Sequence, residues 1–283
     1  MLGVNRQVYY RSKKSTEKRK ETKEIVVIMV KGIRLDMPKI GGRKLYHLLQ
    51  DQLSPLGVGR DRLFRILKAN HLLIKPKRQY HITTNSHHHF RKHKNLIKTM
   101  KITRPEQVWV SDITYLGNRS NPMYLGLVTD AYSKKIMGYN ISNSLSATGS
   151  CEALKMAIKN REYKGSQLIH HSDRALQYCC SAYQKILNKY SIKCSMTEQY
   201  DPYQNAVAER VNGILKQEFL DGITIRDIEL MKLFIKDAIN IYNHKRPHLS
   251  NHMLTPKMMH KQNSIKMKTY KTKKENEVTS VLF

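Results

Sequence analysis

The sequence predicts an α/β protein: a mixed sheet with helices on both faces, preceded by a small all-helical region. Two observations carry that expectation. After Pro105, three strand-like segments joined by tight turns give way to strands separated by helical stretches, the pattern of a sheet with both antiparallel and parallel pairs. Before it, apolar residues recur at helical spacing on either side of one short turn.

Residues 17–31 form a charged, then apolar, helical stretch that Asp36-Met37-Pro38 ends. From Gly41, Leu45, Leu48, Leu49 and Leu53 keep a helical period, Ser54-Pro55-Leu56-Gly57 turns the chain, and Leu63, Ile66 and Leu67 resume it. Arg60, Arg62, Arg65 and Lys68 lie between those last residues, which is the outline of a helix-turn-helix with a basic second helix or of a plain basic hairpin. Residues 75–106 show no period and are rich in Lys, Arg, His and Thr, as a linker lying along phosphates would be. His87, His88, His89 and His93 have no acid or cysteine at ligand spacing and are expected to be solvated. Strands are expected at 107–116, 123–129, 134–142, 167–171 and 193–197, and helices at 147–163, 177–190, 205–220 and 227–243. The organisation is therefore a basic helical region (1–75), a basic linker (76–104), an α/β domain (105–262) and a basic tail (263–283).

The formal net charge is +29, far beyond what solubility needs, and a basic surface of that size points to a polyanion, nucleic acid first. The excess is concentrated early: residues 1–104 hold 26 Lys and Arg against 6 Asp and Glu, and residues 105–283 hold 25 against 16. No apolar run is long enough to span a membrane. Cys151, Cys179, Cys180 and Cys194 show no pairing framework and are expected as core thiols in a reducing, cytoplasmic setting.

Three acids stand where solvation does not explain them. Asp112 interrupts the apolar strand Val108-Trp109-Val110-Ser111-Asp112-Ile113, where a charge needs a partner or a metal. Asp173 follows Leu168-Ile169-His170-His171-Ser172, at the carboxyl end of a buried strand, where open α/β sheets place their sites. Glu209 lies early on the helix within "PYQNAVAERVNGILKQEF", about 160° around the wheel from Val207, Val211, Ile214 and Leu215, whereas Glu218 falls near that apolar side. Carboxylates arriving from two strands and a helix suit a pair of Mg²⁺ ions engaged in phosphoryl transfer. A packing role for one or more of them stays open on this ground. Asp130, closing the second strand, is expected to accept backbone hydrogen bonds in a turn, and Asn205 to cap the helix. Arg174, Asn212 and Lys216 are candidate phosphate contacts, Arg246 is a candidate DNA contact or a helix C-terminal charge, and at least one of His170 and His171 is expected to pack.

The segments "WVSDITY", "HHSDRALQY", "PYQNAVAERVNGILKQEF" and "YNHKRPH" resemble the integrase core of bacterial transposases of the insertion-sequence-three family, in its second-frame product, and retroviral integrases more distantly. The likeness extends over residues 40–260, with "GGRKLYHLLQ" and "VGRDRLFRILKANHL" resembling the family's helix-turn-helix. Thirty-five residues separate Asp173 from Glu209, the spacing of that family's acidic triad. The resemblance implies a ribonuclease-H-like fold, with Asp112, Asp173 and Glu209 binding two divalent ions, Mg²⁺ or Mn²⁺. It implies cleavage at the terminal inverted repeats of the element and joining to target DNA by direct attack of a 3′-hydroxyl, by a homo-oligomer assembled on DNA in the bacterial nucleoid. The start "MLGVNRQVYY" resembles the middle of a longer family protein, so an upstream reading frame is expected to contribute a fused segment. Ala175 and Gln204 depart from the glycine and aspartate of many relatives, and neither removes an acid. Two other functions compete: a ribonuclease-H-fold nuclease, which has no need of the basic helical region, and a DNA-binding regulator with an inactive core, which has no need of three acids.

Overall fold

In the computed structural model, which describes residues 5–74, 93–116, 121–198 and 205–268, the chain divides into two compact units, 1–79 with 217–221 and 80–216 with 222–283. The first is helical. Helix α1 (Arg6–Asp36) starts where the Asn5 side chain accepts the Gln7 N–H, and only its second half has buried positions, at Thr22, Val26 and Val30. It begins eleven residues before the expected 17; residues 6–21 are exposed on every side, so no apolar period marks them in the sequence. Helices α2 (Gly42–Leu53) and α3 (Arg60–Ala69) follow, joined through Gly57, whose φ of +61° is readily available to glycine. Leu45, Leu49, Leu53, Leu63 and Leu67 fill the space between them. Glu218, near the apolar side of its helix, pairs with Lys44 at 3.0 Å within this unit.

The second unit holds a five-stranded sheet in the order β3-β2-β1-β4-β5, made of β1 (Val108–Tyr115), β2 (Tyr124–Asp130), β3 (Ile136–Ser142), β4 (Ile169–Ser172) and β5 (Lys193–Met196). The β1–β2 and β2–β3 pairs are antiparallel, and β1–β4 and β4–β5 are parallel, the mixed sheet the sequence predicts. Side-chain alternation along β1 separates two cores. Trp109 faces Val128, Met137, Leu154, Leu168, Tyr183 and Leu187 on one side, with helices α4 (Ala147–Lys159), α5 (Leu176–Cys179) and α6 (Ser181–Lys189). Val108 and Val110 face Ala131 and Ala208 on the other, the side of α7 (Ala206–Ile214). At Gly138 a Cβ would stand 2.1 Å from the Ala153 carbonyl oxygen, so α4 lies against β3 at a distance only glycine permits.

Three expectations change here. The helix expected over 177–190 is two, because Cys180 is extended (ψ 152°); the break turns both Tyr178 and Tyr183 onto the His170 ring. The helix expected over 205–220 is α-helical to Ile214 and then a π turn, Leu215–Phe219. Residues 93–104, expected as linker, pack on the sheet through Ile97, Met100 and Ile102, and Leu96 N–H donates to Ser195 Oγ. His87, His88 and His89 lie outside the described residues.

Asp130 has the turn role: Oδ1 accepts the Glu106 N–H and Oδ2 the Ser133 N–H, each at 2.8 Å. With fully buried Glu106 it also flanks His260, at the end of α9 (Pro256–His260), and Tyr242 and Asn243 of α8 (Ile228–His244) bond to the start of β3. The four cysteines form no disulfide, and Cys151 and Cys179 are buried. Among the described residues no helix is long and apolar enough to cross a membrane.

Candidate active site

The position of the first two acids follows from strand register. In the parallel pair, Ser111 of β1 stands beside Ser172 of β4, so Asp112 and Asp173 are the next residues along adjacent strands, which lie about 4.8 Å apart. Asp112 shares the sheet face of Val108 and Val110, the face covered by α7, and α7 carries Glu209. The triad residues thus come from β1, the end of β4 and the first turn of α7.

Their electrostatics record that proximity. Burial, then the charge of Asp173 and to a lesser degree that of Glu209, pushes the Asp112 carboxyl up to about 7. The Asn212 amide, donating to Asp112 Oδ2 at 2.8 Å, and the Ile113 N–H, donating to Oδ1 at 2.9 Å, oppose the rise. Glu209, on the solvent side of α7, is raised by partial burial and by Asp173. Asp173 Oδ1 accepts the Ala175 N–H at 3.1 Å. Among the described residues no three acids, histidines or cysteines form a ready metal-ligand cluster. The donor set nevertheless suits a hard divalent cation: it is all oxygen, and both the burial that chiefly lifts Asp112 and the added repulsion from Asp173 are what a cation between the carboxylates would offset.

Beneath the acids, Ser111 Oγ bonds to His170 Nε2 at 2.8 Å, and Tyr183 Oη meets the same nitrogen at 2.9 Å. Burial, with His171 beside it, drives His170 down to about 3, so it is neutral and ties β1 to β4. His171 is also buried and bonds to Ser195 Oγ. Both histidines are buried; His170 lies on the face opposite Asp112, and His171, paired with Val110, lies on the face of the acids with its Nδ1 tied to Ser195.

Other candidates fall into two groups. Arg174 and Lys216 are partly buried; burial lowers Lys216, and Asp112 counters it. In the helical unit, Arg60, Arg65 and Lys68 are exposed on α3, and Arg60, Arg62 and Arg65 line an open depression of about 580 Å³ beside the α2–α3 turn. Three expectations are corrected. Arg246 is 1 % exposed, with its guanidinium 5.6 Å from the centre of the Tyr242 ring, so it does not present itself to a phosphate. Asn212 is 4 % exposed and spends its amide on Asp112, which makes it a support of the carboxylate rather than a DNA contact. Asn205, expected to cap α7 through its side chain, makes no such bond; its Nδ2 donates to the Ser111 carbonyl at 3.0 Å. The seven-residue spacing of Asn205 and Asn212 is the signal that places them on one helix face.

Residues 102–202 and 190–256 match the integrase core domain family. The insertion element IS600 31 kDa protein of Shigella sonnei is 33% identical over 253 residues, an alignment covering 88% of this chain and 92% of that one. The chain belongs to the insertion-sequence-three family of transposases. Another relative in that family, the transposase InsF for insertion sequence IS3fB of Escherichia coli, is 32% identical over 160 residues, 56% of this chain and 55% of its own. Among solved structures, the HTLV-2 integrase catalytic core domain in complex with magnesium is similar at 19% identity with a TM-score of 0.44, covering 56% of this chain and 97% of that one. As a member of the insertion-sequence-three family the protein is a polynucleotidyl transferase with an integrase core, a core that implies use of a divalent metal.

Proposed function

We propose that this transposase binds the terminal inverted repeats of its insertion sequence, cleaves at the element's ends and joins them to target DNA, with Asp112, Asp173 and Glu209 holding two Mg²⁺ or Mn²⁺ ions. The observation that carries this reading is the β1–β4 register, which sets Asp112 and Asp173 side by side on the face that α7 covers. Two divalent ions bound there would supply the Lewis acidity that activates a water or 3′-hydroxyl and stabilises the leaving oxygen of a phosphodiester. The chain's own contribution is placement. Asn212 holds Asp112 Oδ2, the Ile113 N–H holds Oδ1, and the Ala175 N–H holds Asp173. Arg174 and Lys216 stand by the acids as phosphate contacts, and Arg60, Arg62, Arg65 and Lys68 give α3 a cationic surface for the DNA backbone. The acting species is a homo-oligomer on DNA in the bacterial cytoplasm.

Asp173→Asn tests the assignment. It removes one anionic ligand while keeping shape, so Mg²⁺-dependent strand transfer should disappear while affinity for the element's ends stays near wild type. Joining activity retained in that variant would overturn the triad.

A further inference from the structure

Asn205 stands at the N-terminal boundary of α7, four residues before Glu209, and is 5 % exposed. Its Nδ2 donates to the main-chain oxygen of Ser111, the residue preceding Asp112. Seven residues on, Asn212 donates to the Asp112 carboxylate. Seven residues are close to two turns, so both amides project from one side of α7, about 10 Å apart along it, with Glu209 between them in sequence. Helix α7 is therefore fastened to β1 at two points. One grips a carboxylate that metal binding would rearrange; the other grips the backbone, which no ligand exchange disturbs.

Each amide also leaves its Oδ1 buried without a hydrogen-bond partner. That oxygen carries a desolvation cost that an apolar side chain of the same shape would avoid. Apolar packing at Ala208, Val211 and Ile214 already seats the helix, so docking by itself does not call for a buried amide at position 205.

We propose that Asn205 is a positioning residue for the transposase reaction: by holding the Ser111 carbonyl, its amide sets the height of α7 on β1 and hence the placement of Glu209 relative to Asp112. The proposal rests on the assignment of the acidic triad. It predicts a defect in metal affinity, the quantity most sensitive to displaced ligands, since loss of a residue that orients metal ligands typically weakens binding 10–100-fold.

The test is Mn²⁺ binding to the full chain without DNA, read from the electron paramagnetic resonance signal of free Mn²⁺, for wild type, Asn205→Leu, Asn205→Ala and Asp173→Asn, with melting temperatures alongside. Asn205→Leu keeps the branched skeleton, with somewhat larger methyl groups, and removes both the amide donor and the unmatched oxygen. The expected result is Mn²⁺ binding weakened about 10-fold in both Asn205 variants, with the leucine variant melting at or above the wild-type temperature. Wild-type Mn²⁺ affinity in either variant, or failure of both to fold, would make Asn205 a packing residue and overturn the proposal. Asp173→Asn separates the two readings: wild-type affinity there removes the triad itself, whereas loss there with full affinity in the Asn205 variants removes only the positioning role.

Discussion

Replacing Asp112 by asparagine should stabilise the metal-free protein while abolishing its chemistry. The Asp112 carboxyl is lifted from 3.8 to about 7, first by burial and then by Asp173, so at pH 8 the folded protein carries an anion that the unfolded chain holds far more easily. A rise of about 3 units corresponds to about 4 kcal/mol at 1.36 kcal/mol per unit. The sign follows from linkage: a folded value above the unfolded one favours folding fully below pH 4 and loses that contribution as pH rises through about 7. Asparagine has no charge to lose. It still accepts from Asn212 through its one oxygen, but its NH₂ faces the Ile113 N–H, forfeiting that hydrogen bond at a cost of about 1 kcal/mol. The net expectation is a gain of about 2–3 kcal/mol at pH 8, shrinking to nothing or reversing near pH 4. Urea unfolding in EDTA at the two pH values measures it. A variant less stable than wild type at pH 8, or a difference that does not change with pH, would refute the account of Asp112 as a repelled anion. Adding Mn²⁺ should then stabilise wild type and leave Asp112→Asn nearly unchanged.

Two further outcomes concern other parts of the chain. If α3 lies along DNA, Arg65→Ala with Lys68→Ala should weaken binding to all sequences alike and reduce the slope of log affinity against log salt by about 2; an unchanged slope would move the phosphate contacts elsewhere. Burial lowers His260, but hydrogen bonds to Asp130 and Glu106 more than offset it and hold the ring above its ordinary 6.5. Its contribution is therefore full below 6.5 and lost as pH rises through the raised value, so melting temperature should fall on the alkaline side in wild type but not in His260→Ala, which should cost about 3 kcal/mol near pH 6. An equal alkaline fall in both proteins would exclude His260 as its source.

The sequence by itself determined the order of strands and helices in the integrase core and the basic character of the helical region, and it singled out three acids as candidates. Those features are local: an apolar strand interrupted by one aspartate, a strand end, a helical wheel that separates Glu209 from Glu218 by about 160°. Charge and period fail where a helix has no buried side, which is why the first half of α1 was invisible. Only the tertiary structure decided what faces what. The pairing of Ser111 with Ser172 is a long-range register, and it alone sets Asp112 beside Asp173 on the α7 face. Burial is likewise a property of the packed chain: it turned Arg246 from a cation offered to DNA into one laid over Tyr242, and Asn212 from a phosphate contact into the partner of Asp112. Asn205 shows the same limit. Its place before a helix favours a cap, yet a strand carbonyl 94 residues earlier in the chain claims the amide, because a buried donor goes to whichever acceptor the fold delivers.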